Sequence, residues 1–167
     1  MNSTENTRRG SRKRVTLIAG AAVVVAAAVG ITVAVTSADG PPVDNGTAAL
    51  AVQQIDAVGP VLVDQAGRAL YYFETDEPGV VTCTGGCATK WPPLTLPAGQ
   101  ETPELGDGVD AKLVGHTEAE NGAQVVTYQG LPLYRYSSDN PGEAGGHEKD
   151  QNGGLWWAVT KEGNHAS

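Results

Sequence analysis

The chain has 167 residues, 40% of them apolar, and a formal net charge of −8, which suits one globular domain with an appendage rather than two full domains. Setting aside the leader's Arg8, Arg9, Arg12, Lys13, Arg14 and Glu5 from totals of 11 basic and 19 acidic residues leaves the remainder at −12. A body this acidic argues against nucleic acid as a partner.

The basic residues at 8–14 precede VTLIAGAAVVVAAAVGITVAVT, Val15 to Thr36, which carries no charge. A helix rising about 1.5 Å per residue crosses a hydrocarbon core of about 30 Å with roughly 20 residues, so this segment is long enough to span. The positive-inside rule keeps the basic flank in the cytoplasm and exports the chain beyond Ser37. The expectation is one N-terminal helix over 15–37 that meets the cell membrane. Its length favours an uncleaved single-pass anchor, with the domain extracytoplasmic. Cleavage as a signal peptide near Thr36-Ser37-Ala38, giving a secreted protein, is the alternative. No cysteine lies near the segment, so lipidation there is not expected. Residues 38–50, rich in Gly, Pro and small polar residues, read as a flexible linker.

From Leu70 the chain reads LYYFETDEPG, and from Leu133 it reads LYRYSSDNPG, an offset of 63. Without gaps, that offset sets Gly59 on Gly122, Val63 on Val126, Gly67 on Gly130, Tyr71 on Tyr134, Asp76 on Asp139 and Pro78-Gly79 on Pro141-Gly142. Two copies of one supersecondary unit are implied, about 51–110 and 111–161. Apolar runs are short and bounded by turn signals, which is strand rather than helix patterning. A strand at Val61 to Asp64 turns through Gln65-Ala66-Gly67 into another at Ala69 to Glu74. The second copy repeats this, with Asn121-Gly122 as a turn signal, and LWWAVT supplies a further strand. The predicted fold is all-β: two tandem antiparallel β-meander repeats forming one compact domain over 51–161, with 162–167 a frayed tail.

Alternation along the strand points Tyr71 and Phe73 one way and Leu70 and Tyr72 the other. Pro78-Gly79 and Pro141-Gly142 suit type II turns. A half-buried tyrosine hydroxyl needs a partner, and the Asp at the end of its own strand is the simplest one. Tyr71, Asp76, Tyr134 and Asp139 are therefore read as a repeated structural corner, in preference to a catalytic Tyr–Asp pair. Cys83 and Cys87, in CTGGC, are expected to join in an oxidising compartment. Their loop is so short that chain entropy gives only about 2 kcal/mol, enough to pin a local turn. Gly85 and Gly86 permit such a tight ring.

The doubled G-x-x-L-Y-x-[FY]-x-x-D pattern, with CTGGCATKWPPL after its first copy, resembles a bacterial family of secreted repeats or predicted lipoproteins known for a Y-x4-D motif. Tyr71 and Asp76, Tyr134 and Asp139, and Cys83, Cys87, Trp91, Pro92 and Pro93 carry the resemblance, across most of residues 55–160. It implies kinship and export but no reaction, cofactor or catalytic residue. The lipidation cysteine of the lipoprotein members has no counterpart here.

Trp91, Trp156 and Trp157 are candidate ligand-facing aromatics, but two of them alternate along a strand, so core packing of at least one is the preferred reading. The loop from Asp139 to Gly154 offers Asp139, Glu143, Glu148, Asp150 and Asn152 as oxygens but lacks a complete calcium-loop spacing, so it reads as solvated. His116, His147 and His165 are scattered, with no metal-ligand spacing. No nucleophile elbow, phosphate loop or dinucleotide fingerprint occurs. The expected function is a non-catalytic cell-envelope module without a cofactor, binding an envelope protein, a glycan or a small ligand. A redox- or metal-linked envelope protein is the alternative, and a hydrolase a distant third.

Overall fold

The computed structural model describes residues 48–167. The leader, the apolar segment 15–37 and the linker as far as residue 47 lie outside the described residues. No helix among the described residues is long and apolar enough to cross a membrane.

The chain order is β1 (Ala49–Ile55), β2 (Gly59–Val63), β3 (Tyr71–Phe73), α1 (Gly86–Lys90), β4 (Glu104–Leu105), β5 (Val114–Glu118), β6 (Gln124–Tyr128), β7 (Leu131–Pro132), β8 (Lys149–Gln151) and β9 (Gly154–Ala158). Three small sheets result, ordered β2-β1-β4, β3-β9-β8 and β5-β6-β7. Among the described residues the all-β expectation holds except for the single turn of helix α1. Among the described strands, β1 and β4 alone pair parallel.

Both ends of the domain reach further than the sequence suggested. β1 begins at Ala49 and buries Ala48 and Leu50, so the linker's last residues belong to the sheet. The tail is docked rather than frayed. Ala166 is buried and its N–H donates to the Ala158 carbonyl, while the Thr160 N–H donates to Asn164. The apolar side chain of Ala166 joins the core, which the polar sequence EGNHAS does not announce.

The two repeats do not fold as separate meanders, because each is completed by the other's trailing segment. In the first repeat the Leu70 N–H donates to Leu62, the Leu62 N–H to Val159 and the Val159 N–H to Leu70. In the second, Leu133 donates to Val126, Val126 to Leu94 and Leu94 to Leu133. Val159 comes from the second repeat and Leu94 from the first, so the segments that follow the two Pro-Gly turns have changed places. This correspondence sets Leu62, not Val63, against Val126. The first repeat therefore carries one extra residue between its β2 and Leu70, which the ungapped offset concealed.

The centre of the exchange is the pair Tyr71 and Tyr134, whose backbones trade both hydrogen bonds, at 2.9 and 2.8 Å. That is the close-bonded pair of an antiparallel ladder. Side chains alternate away from it into two cores. Tyr71, Phe73, Tyr134, Tyr136, Trp91, Trp156, Val61 and Val63 fill the first, and Leu62, Leu70, Leu94, Val126, Leu133 and Val159 fill the second. Apolar groups buried on both faces explain why these strands read as continuous apolar runs.

Candidate functional site

The doubled Tyr and Asp residues are brought together, but in crossed pairs. The Tyr71 hydroxyl donates to Asp139 and the Tyr134 hydroxyl to Asp76, the latter at 2.6 Å. This corrects the expectation that each tyrosine closes on the Asp of its own strand. Because Tyr71 and Tyr134 lie opposite each other, the loop leaving each strand can fold over the partner's ring. The loops do so symmetrically. Asp76 accepts from the Thr82 N–H at 3.0 Å and from its hydroxyl, and Asp139 accepts from the Gly145 N–H at 3.0 Å. One residue on, the Gly146 N–H donates to the Tyr71 oxygen at 3.2 Å, and the Cys83 N–H is the matching contact at Tyr134. The Pro-Gly turns, with φ near +79° at Gly79 and Gly142 as a type II turn requires, cross over too. The Gly79 N–H donates to Gly130 and the Gly142 N–H to Gly67.

Both tyrosines are fully buried, and Asp76 and Asp139 nearly so. Burial, reinforced by the facing carboxylates, pushes both phenols well above their ordinary range. Burial also raises the Asp139 carboxyl, against the opposing hydrogen bonds from Tyr71 and Gly145.

Trp91 and Trp156 are wholly buried, which removes them as ligand-facing aromatics. Their rings stack at 3.9 Å, 5° from parallel, at the seam between the repeats. Each stands edge-on to its own repeat's tyrosine, Trp91 to Tyr71 at 5.5 Å and Trp156 to Tyr134 at 5.2 Å. Gln151 satisfies both indoles: Trp91 Nε1 donates to its side chain and Trp156 Nε1 to its carbonyl. Strand alternation allows one buried tryptophan of the 156–157 pair. Trp157 is the half-buried one, flanked by His147 at 5.6 Å and His165 at 4.8 Å between ring centres.

Cys83 and Cys87 form a disulfide. It pins α1 rather than a bare turn, with the ring opened by Gly85 at φ 56°. Cys83 is buried in the first core, while Cys87 packs against its edge.

Two of the concavities among the described residues sit at matching seams between the repeats. One, of about 470 Å³, lies between the β1–β2 tip at Ile55, Asp56 and Ala57 and the loop Gly142 to Gly145. The other, of about 200 Å³, lies between the β5–β6 tip at Ala119, Glu120 and Asn121 and the stretch from Val81 to Ala88, and is also lined by Pro93 and Thr95. Tip residues Ile55 to Ala57 correspond to Ala119 to Asn121, and Ala144 corresponds to Val81. The pair are thus two versions of one feature, the first open and acidic, the second narrower and apolar beside the disulfide.

A protein-family model described as a secreted repeat of unknown function matches residues 54–95 and again residues 115–160. The chain belongs to this family. The matched spans are the two structural repeats, and each ends with the segment it lends to the other. No curated protein and no solved structure matches the chain. Membership marks the secreted repeat as an exported protein.

Of the remaining candidates, His147 and His165 come together at Trp157, while the loop carboxylates do not gather into one group. Asp139 is engaged by Tyr71, Glu143 accepts from the Asn140 N–H, and Asn152 occupies the β8–β9 turn at φ 60°. No group of three or more His, Cys, Asp or Glu converges among the described residues. His147 accepts the Ala158 N–H at Nδ1, and His116 lies on β5.

One residue that sequence reasoning missed is Asp64. It is 2% exposed and accepts from the N–H groups of Ala66 and Arg68, from the Arg68 guanidinium at 2.8 Å and from Arg135 at 2.6 Å. Burial alone would raise its carboxyl, but the Arg68 hydrogen bonds and both guanidinium charges outweigh this and hold it below the ordinary range. Asp followed by Gly three residues on is a turn signature that could have found it.

Proposed function

We propose that the exported domain is a non-catalytic binding module, that its ligand niche is the disulfide-rimmed concavity, and that residues 15–37 hold it at the cell membrane as a single-pass anchor. The observation that carries this reading is the full mutual use of the doubled residues. Both tyrosine hydroxyls and both carboxylates are buried and paired with each other or with loop N–H groups, so they build a scaffold and present no free group to a substrate. Among the openings that the scaffold leaves is a concavity at each of these matching seams. The narrower one offers Val81, Ala88, Pro93 and Cys83 together with Glu120 and Asn121, an apolar lining with few polar groups. At about 200 Å³ it accommodates one small ligand or a single projecting side chain.

Titrating isotope-labelled protein with soluble cell-wall fragments and a small-molecule panel tests this. The expected result is amide shifts confined to Thr84, Gly85 and Ala119 to Ala123, abolished by Ala88→Trp, with the probe recovered unchanged. Shifts confined to other surfaces, or chemical conversion of a probe bound in this niche, would overturn the reading.

A further inference from the structure

Beyond ligand binding, the first core holds an ordered column of aromatic rings. Tyr136 lies over Trp91 at 4.4 Å, Trp91 over Trp156 at 3.9 Å, and Trp156 over Phe73 at 4.2 Å. Tyr71 and Tyr134 abut it edge-on, and each hydroxyl already donates to a buried carboxylate. Packing requires burial of these rings but not their order.

Tryptophan and tyrosine are the aromatic side chains most readily oxidised by one electron, and a phenol yields its electron more easily when a base takes its proton in the same step. Asp139 and Asp76 are such bases, in place before any oxidation. The column also has a direction. Phe73 closes one end with a ring that resists oxidation. Tyr136, 8% exposed, closes the other, beneath the ammonium groups of Lys90 at 4.9 Å and Lys149 at 5.4 Å. On a strongly acidic protein, paired cations at that end favour an anionic reagent.

We propose that the column is a one-electron relay through which an anionic one-electron oxidant, meeting the domain at Tyr136, draws its electron from Tyr71 or Tyr134. One electron leaves Trp91 for the oxidant, directly or through Tyr136, and the vacancy is shared with Trp156. Tyr71 or Tyr134 then refills the tryptophan with one electron and passes its hydroxyl proton to Asp139 or Asp76. The products are a neutral tyrosyl radical, a protonated carboxyl and the oxidant reduced by one electron. A one-electron donor reverses the step, the carboxyl returning the proton.

Pulse radiolysis of the full chain in nanodiscs, in nitrous-oxide-saturated bromide buffer as the source of the anionic dibromide radical, tests the relay by transient absorption and by electron paramagnetic resonance of freeze-quenched samples. The expected signal is a tryptophan radical that converts to a tyrosyl radical. In the double variant Tyr71→Phe, Tyr134→Phe, which keeps both rings, the tryptophan radical should persist and the tyrosyl signal should be lost. Trp91→Phe should lower the tyrosyl yield, and raising ionic strength should slow radical formation. An undiminished tyrosyl signal in the double variant would place the radical on Tyr72, Tyr128 or Tyr136 and overturn the proposal. So would an unchanged yield in folded Trp91→Phe. Should that variant fail to fold, the tyrosine pair decides alone.

Discussion

The Tyr134 hydroxyl donates a hydrogen bond to Asp76, 58 positions earlier in the chain and in the other repeat. Since Tyr71 and Asp139 mirror the arrangement, two buried hydrogen bonds hold the repeats together where two local ones were expected. Asp76→Ala and Asp139→Ala should each cost about 1–3 kcal/mol, the penalty for leaving a buried donor without its acceptor. A double-mutant cycle on Tyr134 and Asp76 should return a coupling of about 0.5–3 kcal/mol, larger than a cycle on Tyr71 and Asp76. Denaturant melts measure both, and equal couplings would contradict the crossed pairing.

Asp64 ties Arg68 of its own turn to Arg135 of the other repeat. Removing one partner of a buried ion pair costs about 3–5 kcal/mol. The arginines here are 33% and 21% exposed, so solvent screening reduces the expectation for Asp64→Ala to about 2–3 kcal/mol. The Asp64 carboxyl is held below its ordinary value of 3.8 in the folded state, so its stabilisation is complete above that pH and is lost as pH falls below it. Acid unfolding monitored by circular dichroism should be shallower in Asp64→Asn than in the parent.

His147 offers a second pH effect. Burial, with a smaller contribution from His165, lowers its imidazole below 6.5 despite Glu148. Its Nδ1 lone pair accepts the Ala158 N–H and is lost on protonation. A base whose folded pKa is depressed contributes stability that is present above 6.5 and declines as pH falls below it. Melting temperature should therefore drop below that pH, and His147→Gln should flatten the profile.

Gly146 is packed where no side chain fits. A Cβ there would lie 2.8 Å from Trp91 Cη2 and 2.8 Å from Tyr71 Cζ. Gly146→Ala should cost about 1–3 kcal/mol by overpacking and should disturb the near-ultraviolet dichroism of the stacked tryptophans. An unchanged spectrum and melt would contradict this packing.

The disulfide should matter locally. Intact mass with and without reductant should differ by two hydrogens. Replacing Cys83 and Cys87 by Ser should cost about 2 kcal/mol at most, from the short closed loop, and loosen α1 before the sheets. Hydrogen exchange at Gly86 to Lys90 reads that order directly.

Much of this was legible in the sequence. The repeat, the Pro-Gly turns and the alternation of Tyr71 and Phe73 against Leu70 and Tyr72 come from local chemistry that the chain states outright. The partner of each tyrosine does not. Tyr71 with Asp76 and Tyr71 with Asp139 satisfy the same local rules, and only the exchange of trailing segments decides between them. Trp156 and Trp157 follow the same alternation, one buried and one half-buried, whereas Trp91 caps α1 outside any strand, where no alternation applies. α1, a single helical turn set among glycines, has too little periodicity to detect, and β4 pairs with β1 across a connection that neither repeat encodes.

The exchange of trailing segments also bears on how such a chain can be divided. The connection between the repeats is exposed at Glu101 and Thr102, yet on either side of it lie segments clasped in the opposite half. A cut there would leave two pieces interlocked like the subunits of an obligate dimer, and separately expressed halves would regain structure only by finding each other. A lone repeat, lacking the strand it must borrow, has one remedy: a second copy of itself, which would rebuild the same architecture with true rather than approximate twofold symmetry. The duplicated chain is in this sense a dimer whose partners cannot be diluted apart.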